Sequence, residues 1–287
     1  MNRAKKSRLY RDVDFLTGVR PYRNYQNPGS LEKVSKYITN EFVSSGYVCE
    51  EQKWVAEGKE YKNIIASWQK GSKRRLIVGA HYDVAGDQPG ADDNASAVAG
   101  LLETARLVSE SRPDLDYGID FVAYCLEEAP FFTTKEMGSY IHAKSLFDTQ
   151  ADIVGMLCYE KIGYFSDEPG SQSFPQPELA AIYPDRGDYI VVVGIEQCRA
   201  FSDRVHSLMS ERSGINVEKI VFPDGTGLAG RSDQRNYWEF GYKAVMISDT
   251  SFLRNPNYHQ VTDTIETLDF DKMKEVVDCC FNAVLKL

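Results

Sequence analysis

The chain has 287 residues, 43% of them hydrophobic, and a formal net charge of −9. That length and apolar content can bury one large α/β core or two smaller ones, and they exclude a disordered or fibrous chain. The acidic balance excludes a general nucleic-acid binder, which needs a basic face against phosphates, and no apolar run approaches the length of a membrane span.

The basic start, Arg3 to Arg11, is followed by no apolar segment of signal-peptide type, so a soluble, cytoplasmic protein is expected. Asn27-Pro-Gly-Ser30 is a turn before Leu31 to Ser45, where Leu31, Val34, Tyr37, Ile38 and Phe42 recur at helical spacing with Ser30 as the cap. Tyr47 to Trp54 and Tyr61 to Trp68 read as two strands joined by the polar turn Glu57-Gly58-Lys59. Leu76 to Ala80 is an apolar run of strand length ending in His81-Tyr82-Asp83. A Gly/Pro-rich loop, Val84 to Ala91, then reaches Asp92-Asp93-Asn94, and a helix covers Ala95 to Val108 with Asp93 or Asn94 placed to cap it. Read alone, this stretch is equally a core histidine followed by a turn-and-cap cluster.

Gly118 to Leu126 is another apolar strand, with Glu127-Glu128 directly after it, and Met137 to Phe147 is helical. Ile153 to Tyr159 is a strand ending in Glu160. Residues 163–188 are rich in Pro, Gly, Ser and Asp, a long excursion over the surface of the kind that usually carries function. Strands at Tyr189 to Gly194 and Val217 to Phe222 flank a helix at Arg199 to Ser213. Ala244 to Ser248 is the last strand, a polar loop holds His259, and Asp271 to Leu285 is a closing helix. The six cysteines, Cys49, Cys125, Cys158, Cys198, Cys279 and Cys280, show no C-x-x-C spacing and read as small buried hydrophobes. Strands alternating with helices predict an α/β sandwich with a mostly parallel sheet, and no composition break divides the 287 residues.

His81, the pair Glu127-Glu128, Glu160 and His259 each follow a predicted apolar strand, the edge at which open α/β sheets bind ligands. Singly, each is a solvated strand end or an ordinary loop residue. Jointly, with Asp93, two histidines and three carboxylates suit divalent ions such as zinc, and a second glutamate beside a ligand is placed to act as general base. That combination is a hydrolase site.

The ordered series His81-Tyr-Asp83, Gly90-Ala-Asp-Asp93-Asn-Ala-Ser, Glu127-Glu128, Gly138-Ser139, Tyr159-Glu160-Lys-Ile-Gly, Ser232-Asp233 and Tyr258-His259 resembles the M28 family of zinc aminopeptidases, a group that also contains glutaminyl cyclases. The resemblance runs from about Leu31 to the C-terminal helix. It implies a single-domain three-layer α/β/α sandwich with a mixed, mostly parallel central sheet, with residues 1–29 as an extension packed upon it. It also implies two zinc ions bridged by Asp93, one completed by His81 and Glu160, the other by Glu128 and His259. Glu127 would be the general base, Asp83 would orient His81, and Tyr258 would bond the substrate carbonyl. The substrate would be a peptide or aminoacyl compound, with neither nucleic acid nor membrane as partner. A one-zinc, glutaminyl-cyclase-like acyl transfer and a non-catalytic binding protein are the alternatives. Three features depart from the family pattern: residues 129–137, with Phe131 and Phe132, lie between the Glu pair and Gly-Ser; Gln234 stands where a His is common; and Glu160 replaces the commoner Asp. Residues 129–137, 163–188 and 253–258 are the expected pocket walls, with Phe131, Phe132 and Phe252 candidates for its apolar lining.

Overall fold

In the computed structural model, which describes residues 3–287, the alternating apolar runs assemble into one eight-stranded mixed sheet with helices on both faces. The chain runs α1 (Lys6–Gly18), α2 (Pro28–Ser44), β1 (Cys49–Ala56), β2 (Lys59–Trp68), β3 (Arg74–His81), α3 (Ala97–Ser111), β4 (Gly118–Tyr124), α4 (Gly138–Asp148) and β5 (Asp152–Glu160). It continues through a short α5 (Pro177–Ala180), β6 (Tyr189–Ile195), α6 (Arg199–Met209), β7 (Asn216–Phe222), α7 (Gln234–Glu239), β8 (Ala244–Ser248) and α8 (Phe270–Val284). The strand order is β1-β2-β4-β3-β5-β8-β6-β7. β3 pairs in parallel with β4 and β5, β5 with β8, and β6 with β7, whereas the other three junctions are antiparallel.

β3 is central, and every residue from Arg75 to His81 is buried, as a strand covered on both faces requires. Its side chains divide by alternation. Leu76, Val78 and Ala80 join a core formed with α1, α2, α3, α6 and α8, and Ile77 joins a smaller one with Ala143 of α4 and Tyr237 and Trp238 of α7. β1 and β2 form a hairpin whose two-residue turn, Glu57 and Gly58, has φ of 46° and 74°, the left-handed pair that matches the twist of the flanking strands. All six cysteines are free, and all but Cys49 are buried. Among the described residues no helix is long and apolar enough to cross a membrane.

Several boundaries differ from the expectation, each for a local reason. α1 was not expected, because its basic residues obscure a stripe in which Leu9, Val13 and Leu16 are 0–1% exposed against α3 and α8. Asn27 precedes α2, with Pro28 in the first turn, and Ser30 lies inside the helix, where its hydroxyl donates to the Pro21 carbonyl at 2.6 Å instead of capping. α3 begins only at Ala97; Ala91–Ser96 is a wider turn in which Asp93 and Asn94 are non-helical and cap nothing. α7, six residues long, was missed as well.

Candidate metal centre and adjoining cavity

Because β4, β3, β5 and β8 run parallel to one another, their carboxyl ends share one edge. His81 ends β3 and Glu160 ends β5, Glu127 and Glu128 follow β4, and the loop after β8 brings Tyr258 and His259 across. Asp93 comes from the irregular turn ahead of α3, which aims its carboxylate at the same point.

Among the described residues the result is three overlapping donor groups: the sets His81, Asp93 and Glu160 and Asp93, Glu128 and His259 share Asp93, and a third joins His81 to Glu127 and Glu128. His81 Nε2 lies 3.4 Å from Asp93 Oδ1 and 3.4 Å from Glu160 Oε2. His259 Nε2 lies 3.1 Å from Asp93 Oδ2 and 3.3 Å from Glu128 Oε1. Glu127 Oε2 is 3.7 Å from His81 Nε2, beside both sets. Both ring nitrogens of His81, both oxygens of Asp93 and Oε1 of Glu128 are buried without a hydrogen bond, although buried polar atoms are nearly always satisfied. Imidazole and carboxylate atoms left facing one another at such spacing are the donor set of a divalent cation of zinc type, so the residues fit a metal.

A second layer holds this geometry. Asp83 lies 3.6 Å from His81 Nδ1, and its two oxygens also accept from the backbone N–H of Glu127 at 3.2 Å and of Glu128 at 3.1 Å. It therefore orders the glutamate pair as well as the imidazole, which the sequence did not reveal. Asp263 accepts from the N–H of Asp92 and of Asp93, at 2.9 and 3.1 Å. Arg23, 1% exposed, crosses from the N-terminal segment and donates to the carbonyls of Leu16, Tyr82, Pro89 and Gly90, which fixes the loop between His81 and Asp93.

Burial pushes the Glu127 carboxyl well above the ordinary range, with Glu128 and Glu160 reinforcing and His81 opposing. Burial disfavours the imidazolium of His259, yet Asp93 and Glu128 prevail and raise it to about 10. His81 is likewise held well up, as Glu160 and Glu127 outweigh its burial. Burial works the other way on Asp93 and Glu160 too, yet Lys161 and the histidines outweigh it and hold both carboxyls below the ordinary range.

Tyr258 stacks on the His259 ring, centroids 3.8 Å apart, and faces the cavity. Gln234 takes no part in the ligand sets: its amide donates to the Ala229 carbonyl at 2.7 Å. Two side chains that stood in the motif series without a role assigned to them join the site. Ser232 Oγ donates to Glu160 Oε2 at 2.6 Å, and the Lys161 ammonium pairs with Glu160 and stands 3.6 Å from Asp93 Oδ2. Lys161 had a visible signal, a lone lysine in an apolar stretch beside a ligand.

Next to the centre opens a cavity of about 830 Å³, including its mouth. Lys161, Tyr258 and Phe252 border it near the ligands, and Val191, Ile220 and Phe222 of β6 and β7 form its apolar back. Segments 172–183 and 250–253 supply the other wall, so the long 163–188 excursion folds back over the sheet. Residues 129–137 contribute nothing to this lining: Phe131 is buried against Tyr25 and Tyr61, and Phe132 lies under Arg235.

Residues 63–284 match the family model of peptidase family M28. The uncharacterized protein YfbL of Escherichia coli K12 is 41% identical over 284 residues, 96% of this chain and 86% of its own length. A probable leucine aminopeptidase of Trichophyton verrucosum is 28% identical over 228 residues, 74% of this chain, and the chain covers 54% of that relative. Among solved structures, LapB of Legionella pneumophila superposes with a TM-score of 0.78 at 19% identity, over 98% of this chain and 72% of its own. The glutaminyl cyclase of Bacteroides thetaiotaomicron does so with 0.75 at 18% identity, over 100% and 99%. These structural likenesses are of fold.

Proposed function

The chain belongs to peptidase family M28, and on that premise we propose that it is a metal-dependent exopeptidase, an aminopeptidase releasing N-terminal residues from peptides. The observation that supports this reading is the shared carboxylate: Asp93 turns one oxygen to His81 and the other to His259, so that with Glu160 and Glu128 these residues would hold two zinc ions. Ions bound there supply Lewis acidity to a scissile carbonyl and acidify water. Glu127, adjacent to both positions and raised in pKa, takes the proton of the attacking water and delivers it to the leaving amine. Asp83 keeps His81 and the glutamate pair in register for that transfer, and Tyr258 donates to the carbonyl oxygen as charge develops on it. The apolar back of the cavity receives the side chain of the released residue.

The test is a panel of aminoacyl amides, short peptides and an N-terminal glutaminyl peptide, assayed before and after chelation. Release of the N-terminal residue that stops on chelation and returns with zinc is the expected result. Cyclisation of the glutaminyl peptide in place of hydrolysis, or no turnover by zinc-loaded protein across the panel, overturns the reading.

A further inference from the structure

The charged side chains lining the cavity beside the metal centre are Glu160, Lys161 and Arg231; the remaining lining is apolar, aromatic or neutral and polar. Glu160 and Lys161 pair with each other, which leaves Arg231 uncompensated. Among the described residues its guanidinium meets no carboxylate and no other acceptor, and it lies over the Phe252 ring, 5.7 Å from the centroid. That ring leads inward. It is 5.6 Å from the ring of Tyr258, which stacks on His259, so Arg231 stands two aromatic steps from a metal ligand.

The position of Arg231 is held from both sides. Ser232, the next residue, is fully buried and donates through Oγ to Glu160 Oε2 at 2.6 Å. Gly230, the residue before, lies so close to the Gly225 carbonyl that a Cβ there would meet the oxygen at 2.1 Å, and this closes the loop tightly. An exposed arginine on such a base keeps its charge at the cavity without an internal partner.

A guanidinium is a planar fork that matches a carboxylate, and the pair strengthens as water is displaced. A substrate seated in this cavity covers Arg231 and strips part of its hydration. An acidic side chain replaces that hydration with charge-assisted hydrogen bonds, a neutral one leaves the charge without a partner, and a basic one meets a charge of its own sign. Resting on the aminopeptidase reading above, in which the cavity receives the side chain of the released residue, we infer that Arg231 selects substrates with an N-terminal aspartyl or glutamyl residue and receives the carboxylate of that side chain.

The test uses zinc-loaded protein and aminoacyl p-nitroanilides of Asp, Asn, Glu, Gln, Leu and Lys, which carry no C-terminal carboxylate. In the wild type, kcat/KM for each acidic substrate should exceed that of its neutral isostere by about tenfold or more, with the lysyl substrate lowest. In Arg231→Met the acidic-to-neutral ratio should fall to about one, chiefly through KM, and Arg231→Lys should keep part of it. Equal values for acidic and neutral isosteres in an active wild type overturn the inference and leave the peptidase reading standing; so does a preference that survives Arg231→Met. Free dipeptides favoured over the anilides whatever their first residue, with that advantage lost in Arg231→Met, would assign Arg231 to the terminal carboxylate and overturn it as well. Absence of turnover across all substrates would instead sink the peptidase reading. Calorimetric titration with free glutamate and glutamine reads the recognition without turnover: tighter binding of glutamate that is lost in Arg231→Met upholds it, and equal affinities overturn it.

Discussion

Replacing Arg23 by Met keeps a side chain of similar length in the same buried channel while deleting every donor. The guanidinium serves four backbone carbonyls, with Nε at 2.9 Å from Tyr82 O, Nη1 at 3.2 Å from Leu16 O, Nη2 at 2.7 Å from Gly90 O, and a further bond to Pro89 O. At a net contribution of about 1 kcal/mol for each of the hydrogen bonds lost, the substitution should destabilise the fold by about 4 kcal/mol. A chain of this length gains roughly 0.6 kcal/mol per degree in unfolding entropy near its midpoint, so that loss corresponds to a fall in Tm of about 7 °C. The damage should also reach the metal centre. Gly90 O accepts from the N–H of Ala95 as well, and those two residues bracket Asp93. Releasing the loop should therefore weaken zinc binding at least tenfold. Scanning calorimetry of the chelated variant and competitive zinc titration read the two effects separately. A Tm within about 2 °C of wild type, with zinc affinity unchanged, would falsify the claim that Arg23 braces the site.

Glu127→Gln should keep its metal and fold yet lose turnover by a factor of roughly a hundred or more; activity within a few-fold of wild type removes Glu127 from proton transfer. Asp83→Asn leaves the ligands in place but weakens acceptance from Glu127 and Glu128 and the pairing with His81, so zinc affinity should drop by about tenfold to a hundredfold. Equal metal content at limiting zinc would show that the position needs no charge. The chelated wild type should lose stability as pH rises. Burial lifts Asp233 and Asp263 to about 7 from 3.8, and carboxylate neighbours lift His259 to about 10 from 6.5. Each folded pKa lies above its unfolded value, so the carboxyl contributions are complete below about 3.8 and gone above about 7, and that of His259 is complete below 6.5 and lost through about 10. Tm should accordingly fall between pH 5 and about 9; a Tm that climbs over that interval contradicts these assignments.

The strands were legible because short apolar runs bounded by polar residues have few other solutions, and β8 lies where the composition places it. Their neighbours were not legible. Nothing in Tyr189–Ile195 announces that β6 runs antiparallel to β8, because alternation fixes the faces of a strand and leaves its partner open. The residues expected at the site, His81, Asp93, Glu127, Glu128, Glu160 and His259, converge because each follows or faces a strand end on one edge. Arg23 could not have been found in the same way. Its partners are main-chain carbonyls, three of them far along the chain, which carry no residue identity for a pattern to register. Helix α1 was hidden by composition, and the walls of the cavity by loop conformation, so Phe252 reached the cavity and Phe131 the core although both sit near the ligands in sequence.

The cavity offers a protein engineer two unlike walls. Val191, Ile220 and Phe222 belong to strands that carry no ligand, so resizing them alters the shape of the recess while the metal centre stays in place. In the other wall, Gln172 Oε1 accepts from Thr250 Oγ1 and Arg254 Nε, and Ser173 N–H donates to Leu253 O, which joins that wall to the segment running on to Tyr258 and His259. A library confined to the β6 and β7 side should retain far more metal-loaded clones than one built on residues 172–183, and new side-chain preferences are best sought there first.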